Sequence, residues 1–463
     1  MWLSGRYDAP MPLAGPLRRK TPLYRRIVTK MKPSRLRSLL LTPIAALVVA
    51  AAAPAHASDT LVLSLTEFWQ RGLEYNEGLS ARELTLSSDT ADVRSLYGGY
   101  FPELSAQASY TYLDVIPSAK IPFIGNQPHD MLGTLNARQS VYDGGRRFWQ
   151  LRQKNATLRR DSTLLAQARL DLKLETALRY HRLQLLDAEL AVLAENRAGA
   201  EAQLELTRLL AQAGKVSSVE VGRHEAALID VESRIAGSLA DRDAAARSLC
   251  LLAGLPAETV LRPADSLSEM PAEAAPTDPL ATADSNNPSL RAWTAQVSQA
   301  RAAVGIARSA QLPNVSLQAW YGWEFGTAGF SFDDNRRYGI GLGANVPLFD
   351  GLRTNNDVRA AELRRRSVES DAGYYRAGLQ VRIQNTIGTL AATTEQLTSA
   401  RHAVELARLN LSMAMAEYQA GRRSSTDVLQ LRTNLLESQL RLTRLLGQQA
   451  DLTVTARHLM GIL

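Results

Sequence analysis

Few residues in this 463-residue chain have the types and spacing that chemistry requires. His129, His181, His224, His402 and His458 share no metal-ligand spacing, and the chain carries neither a nucleophile elbow nor a phosphate-binding loop. Gly339-x-Gly-x-Gly343 matches part of a dinucleotide-binding turn, but it lacks the full spacing and lies inside a strand-like run. The sequence therefore points away from an enzyme, and no metal or cofactor is expected. What remains is local hydrogen-bond chemistry. Ser217-x-x-Glu220 and Ser424-x-x-Asp427 approximate the capping box, in which the serine accepts from the backbone three residues on and the acid reaches back.

The elements that place these two motifs are themselves repeated. Asn76, Pro102 and Tyr110 recur 211 residues later as Asn287, Pro313 and Tyr321. Val141-Tyr142-Asp143-Gly144 recurs after 207 residues as Leu348-Phe349-Asp350-Gly351, and Gly214 and Gly254 recur at the same interval as Gly421 and Gly461. A step of four residues between Tyr110 and Val141 marks a tandem duplication with one loop shortened. The unit reads as helix, strand, loop, strand, long helix, tight turn, helix. Its first copy spans 58–254 and its second 280–463, joined by a proline-rich surface linker over 255–279.

Residues 104–112 alternate strictly, with Leu104, Ala106, Ala108, Tyr110 and Tyr112 on one face and Ser105, Gln107, Ser109 and Thr111 on the other. Residues 315–323 restate the pattern, with Trp320 the exception on the polar face. Each strand has a partner, 131–141 and 338–348, beyond the loops Leu113–Asp130 and Glu324–Arg337. Both copies place aromatics at the loop end, as a membrane-interface girdle does: Tyr110 and Tyr112 in one, Trp323 and Tyr338 in the other. Residues 144–213 and 351–420 lack proline and are rich in Leu, Ala, Arg, Gln and Glu. Each predicts a helix about 100 Å long at 1.5 Å per residue, which must pack against other helices. Return helices are expected over 218–253 and 425–460; Leu397, Ala400, Val404, Ala407, Leu411, Ala414 and Tyr418 step by three and four, as do Val428, Leu431, Leu435, Ser438, Leu442 and Leu445. Gly214 and Gly421 fit left-handed turns between the helices.

The N-terminus reads as a targeting segment. Lys32, Arg35 and Arg37 precede an apolar run from Leu39 to Ala53, and Ala55-His56-Ala57 matches a signal-peptide cleavage site, so Ser58 is the expected first mature residue and Met31 the expected start. Residues 1–57 carry ten Lys/Arg and one Asp, so the net charge of +7 falls to about −2 beyond them. No nucleic-acid partner is expected from such a balance. The single Cys250 cannot form an internal disulfide.

Four strands of about ten residues have the length that crosses a bilayer at a tilt, but four cannot close, and an open edge in lipid leaves backbone groups unpaired. The fold expected is mainly α with a transmembrane β part: four strands and very long helices per chain, with several chains closing one barrel. On these landmarks, with Asn287-Pro288, Leu312-Pro313, Tyr418-x-x-Gly421, Thr426-Asp-Val-Leu429 and Leu459-x-Gly461, the chain resembles the TolC family of outer-membrane efflux and secretion channels over essentially its whole mature length. The resemblance implies a homotrimer with a twelve-stranded β-barrel in outer-membrane lipid, continuous with a coiled-coil α-helical tunnel across the periplasm. It also implies a periplasmic adaptor and an inner-membrane transporter as partners. Tyr418, Arg423 and Asp427 match positions that hold the periplasmic entrance shut, and Glu220 matches an acid that pairs across helices. Asp427 from three chains would form an acidic ring, weakened here by Gln430 where a second acid is common. Gly214, Lys215, Gly421 and Arg422 are the expected adaptor-contact tips. The competing reading is an exported coiled-coil structural or adaptor protein without a barrel.

Overall fold

The computed structural model describes residues 61–112, 129–267, 278–325 and 336–463. The targeting segment, most of both strand-connecting loops, and residues 268–277 of the expected linker lie outside them. In chain order the elements are β1 (Leu61–Leu63), α1 (Leu65–Tyr75), α2 (Glu77–Gly98), β2 (Glu103–Tyr112), β3 (His129–Asp143), α3 (Arg146–Gln212), α4 (Ser218–Leu252), β4 (Leu261–Pro263), α5 (Pro279–Asn286), α6 (Pro288–Ser309), β5 (Asn314–Phe325), β6 (Arg336–Asn345), α7 (Arg353–Gln419) and α8 (Ser425–Met460). The duplication is visible in the lengths: α2 and α6 have 22 residues each, and α3 and α7 have 67 each.

The sequence suggests one helix over residues 65–99; the structure has two. Asn76 leaves helical geometry (φ −78°, ψ 111°) and its side chain accepts from Leu79 N, starting α2. Asn287 caps α6 in the same way, accepting from Leu290 N, which accounts for this landmark recurring in both repeats. The chain ends of each unit meet these caps. Gly461 closes α8 at φ 74°, where a Cβ would stand 2.8 Å from Asn286 O, and Gly254 closes the first unit at φ 64°, where a Cβ would stand 2.9 Å from Tyr75 Cβ. Both positions combine a left-handed backbone with a close approach, so only glycine serves.

The four long strands form one antiparallel sheet in the order β2-β3-β5-β6, leaving β2 and β6 as edges. β3 is longer than residues 131–141 predict, and it bulges at Val141, between Ser140 and Tyr142. β6 ends at Asn345 rather than Leu348, because Pro347 has no N–H for the ladder. The expected linker is partly structured. β4 pairs in parallel with β1, Leu61 opposite Leu261, and Leu261 is packed in a core with Phe68, Tyr180, Leu183, Leu249 and the buried Cys250. The α7–α8 seam forms as the spacing predicts, with Leu397, Ala400 and Leu445 in one cluster and Leu411, Ala414, Tyr418 and Val428 in another. Among the described residues no helix is long and apolar enough to cross a membrane.

Candidate functional site

Two regions carry the chain's distinctive chemistry: the turns that end the long helices, and the sheet at their other end. At the turns, α3 and α7 both close with Schellman hydrogen bonds. Lys215 N donates to Leu210 O at 2.9 Å and Arg422 N to Glu417 O at 2.8 Å, with Gly214 and Gly421 at φ 69° and 73°. Gly214, Lys215, Gly421 and Arg422 are all exposed. The two serine motifs then differ. Ser424 Oγ accepts from Asp427 N at 3.2 Å, whereas the Ser217 side chain makes no capping hydrogen bond. Identical spacing thus gives half a capping box in one repeat and none in the other.

The residues expected at the entrance take separate environments within one chain. Tyr418 is buried among Leu411, Ala414 and Val428, and its hydroxyl has no partner among the described residues. Arg423 pairs with Glu417, Nε to Oε2 at 2.8 Å. The Asp427 side chain is exposed. Glu220 Oε2 is buried without a partner. No hydrogen bond or ion pair joins these four side chains among the described residues. The turns of the two repeats are linked instead by Arg223, whose Nη1 donates to Thr426 Oγ1 at 3.0 Å.

Just inside the turns lies a polar group that spacing alone does not reveal. His224 is 2% exposed, and its Nε2 is unpartnered, as are Arg432 Nε and both amide atoms of Gln203. Burial pushes the His224 pKa below the ordinary range, the Arg432 charge pushes it further, and Glu220 opposes them. Burial also lowers the Arg432 pKa. A lone helical histidine offered no signal, because His224 and Arg432 meet only once α4 and α8 have packed.

The sheet is two-faced across all four strands. The ladder aligns Ala106, Leu135, Tyr321 and Tyr338, and beside them Leu104, Ala137, Ala319 and Ile340. The opposite face aligns Ser105, Asn136, Trp320 and Gly339, then Gln107, Thr134, Gly322 and Arg337. Tyr110, Tyr112, Trp323 and Tyr338 fall on the apolar face, and Tyr338 is 80% exposed. Tyr321 and Trp323 meet edge to face with ring centroids 4.9 Å apart. A second set of exposed aromatics went unread in the sequence: Tyr97, Tyr100, Phe101, Phe148 and Phe349, at the helix end of the sheet. Their signal was present as aromatics before the start of β2 and around each Asp-Gly junction.

The sequence pattern of the outer membrane efflux protein family matches residues 69–255 and 280–461, one stretch for each repeat. The chain belongs to the outer membrane efflux protein family. This family consists of outer-membrane channels, not enzymes, and membership places the chain at the outer membrane. Among curated relatives of this efflux family, the outer membrane efflux protein BepC of Brucella suis is 24% identical over 258 residues, 55% of this chain and 56% of that protein. The nickel-cobalt-cadmium resistance protein NccC of Alcaligenes xylosoxydans xylosoxydans is 24% identical over 267 residues, 58% of this chain and 56% of that protein. The matched stretch thus spans little more than half of either relative. In fold, the chain is similar to the outer membrane protein VceC of Vibrio cholerae, with a TM-score of 0.75 at 20% identity over 86% of this chain and 96% of that one.

Proposed function

We propose that this chain is the outer-membrane channel of a tripartite efflux or type I secretion system. It acts as a passive conduit for what an inner-membrane pump and a periplasmic adaptor deliver. The observation that carries this reading is the two-faced sheet with both edges open. Its apolar face suits lipid and its polar face suits water, yet β2 and β6 expose unpaired ladder groups that hydrocarbon does not tolerate. Three copies would close twelve strands around a wet lumen, and the long helices would continue the passage toward the adaptor. In this assembly Tyr110, Tyr112, Trp323 and Tyr338 sit at the outer interface. The helix turns at Gly214, Lys215, Gly421 and Arg422 meet the adaptor, and Tyr418, Arg423, Asp427 and Glu220 hold the entrance shut through contacts between chains.

Fractionation with chemical cross-linking tests the reading. The protein should sediment with outer membranes, need detergent for extraction, and cross-link to a trimer. A protein that extracts without detergent as a monomer would instead fit an exported coiled-coil protein with a soluble sheet.

A further inference from the structure

One indole stands on the polar face of the sheet, among small and polar neighbours. Asn136 on β3 and Gly339 on β6 pair with Trp320, and Gln318 and Gly322 flank it along β5. The indole lies across Gly339, where a Cβ would stand 2.8 Å from Cε2 and Cζ2 and 2.9 Å from Nε1. Three bonded ring atoms at nearly one distance place the ring over the glycine, along the sheet. At Gly341, next on the same face of β6, a Cβ would meet nothing within 4 Å. Covering Gly339 accounts for one side of the indole, and Trp320 is still 42% exposed.

The charge beside this ring is positive. Arg138 on β3 faces Gln318, which makes it a diagonal neighbour of Trp320, and such neighbours lie about 7–8 Å apart. It is exposed, and among the described residues it makes no ion pair, although Glu103 on β2 stands directly across from it. Arg337 occupies the opposite diagonal, across from Gly322; it has a contact of its own and adds charge. Among the described side chains of this face, Glu103 is the nearest carboxylate to Trp320, two strands away. We propose that Trp320 and Arg138 form a stacking platform in the channel lumen for planar aromatic anions, carboxylates or sulfonates, on their way out. The bare side of the ring takes an aromatic cargo offset-stacked, and the guanidinium pairs with its acid group. An indole also attracts cations, but the two arginines at its diagonals oppose them. Both groups stand in water, so each contact is weak and the cargo can leave, as conduction requires. The assignment rests on the reading of the sheet as a barrel whose polar face lines the passage.

Blockade of single-channel current in planar bilayers tests it, with the full-length protein and probes added on the side of the strand-connecting loops. The probes are naphthalene-2-sulfonate, the cationic naphthylmethylammonium and the non-aromatic cyclohexanesulfonate. Naphthalene-2-sulfonate should block the wild type at the lowest concentration of the three. Trp320→Ala should raise its blocking concentration about tenfold, while the current without probe changes little because the ring lies along the wall. Arg138→Gln should raise it about threefold, the scale of an exposed ion pair, and keep the preference for naphthyl over cyclohexyl. Should the alanine variant fail to assemble, Trp320→Phe keeps a smaller ring over Gly339 and should retain part of the block. Block that survives Trp320→Ala undiminished, equal block by cyclohexanesulfonate, or stronger block by the cation would each overturn the assignment. A conducting channel indifferent to all three probes defeats this inference alone, whereas a protein that forms no channel defeats the reading beneath it.

Discussion

Arg423 Nε lies 2.8 Å from Glu417 Oε2, so the arginine expected to latch the entrance is held by a carboxylate on its own helical hairpin. Both side chains are substantially exposed, and a pair of this kind contributes about 0–1 kcal/mol. Such a contact can be exchanged for one to a neighbouring chain at little cost. Tyr418 supplies the complementary case, because a buried hydroxyl without a partner costs about 1–3 kcal/mol unless assembly provides one.

The first prediction follows from this pair. Tyr418→Phe combined with Arg423→Ser should raise single-channel conductance in planar bilayers while the trimer persists. Tyr418→Phe alone should leave the stability of an isolated chain unchanged or slightly raised, since it removes an unsatisfied group. Unchanged conductance in a well-folded double variant would reduce these residues to packing and turn closure.

His224 predicts a pH dependence. Its pKa in the folded chain is depressed by burial and by Arg432, so the unfolded chain binds a proton first as pH falls. Stability is therefore full above about pH 6.5, the ordinary histidine value, and declines as pH drops toward the folded pKa, by about 1.4 kcal/mol per unit of depression. Thermal melting between pH 7.5 and 5.5 should show this decline in the wild type. His224→Gln should flatten it; an unaltered pH profile in that variant would assign the acid sensitivity elsewhere.

Asn287 predicts a structural cost. It caps α6 through Leu290 N at 3.3 Å and donates from Nδ2 to Leu459 O at 2.8 Å. Asn287→Ala loses both contacts and should destabilise the protein by about 1–3 kcal/mol, read from denaturant midpoints. A change below about 0.5 kcal/mol, the range of ordinary surface substitutions, would show that α6 needs neither contact.

Much of this architecture was legible because the chain states it twice. The period-2 alternation at 104–112 and 315–323 and the proline-free runs gave strands and helices within a few residues of those observed. Tertiary contact decided the rest. β4 is three residues long and exists only because it pairs with β1 some two hundred residues earlier, so a proline-rich stretch hid it. Asn76 breaks a helix with no proline beside it, whereas its counterpart Asn287 is followed by Pro288. Trp320 looked anomalous on a polar face, and the ladder explains its place: it lies across Gly339, where a Cβ would come within 2.8 Å of the indole. The grouping of Glu220, His224 and Arg432 was invisible for a similar reason, since its members come from two helices.

The claim that the chain is an outer-membrane conduit is tested most directly by labelling intact cells with an impermeant thiol reagent. The native Cys250 is buried and contributes little background. Cysteines at Gly125 and Gly329, in the two strand-connecting loops, should react in intact cells, whereas Lys215→Cys at the helix turn should react only after the outer membrane is permeabilised. Labelling at position 215 in intact cells, with positions 125 and 329 silent, would contradict the account.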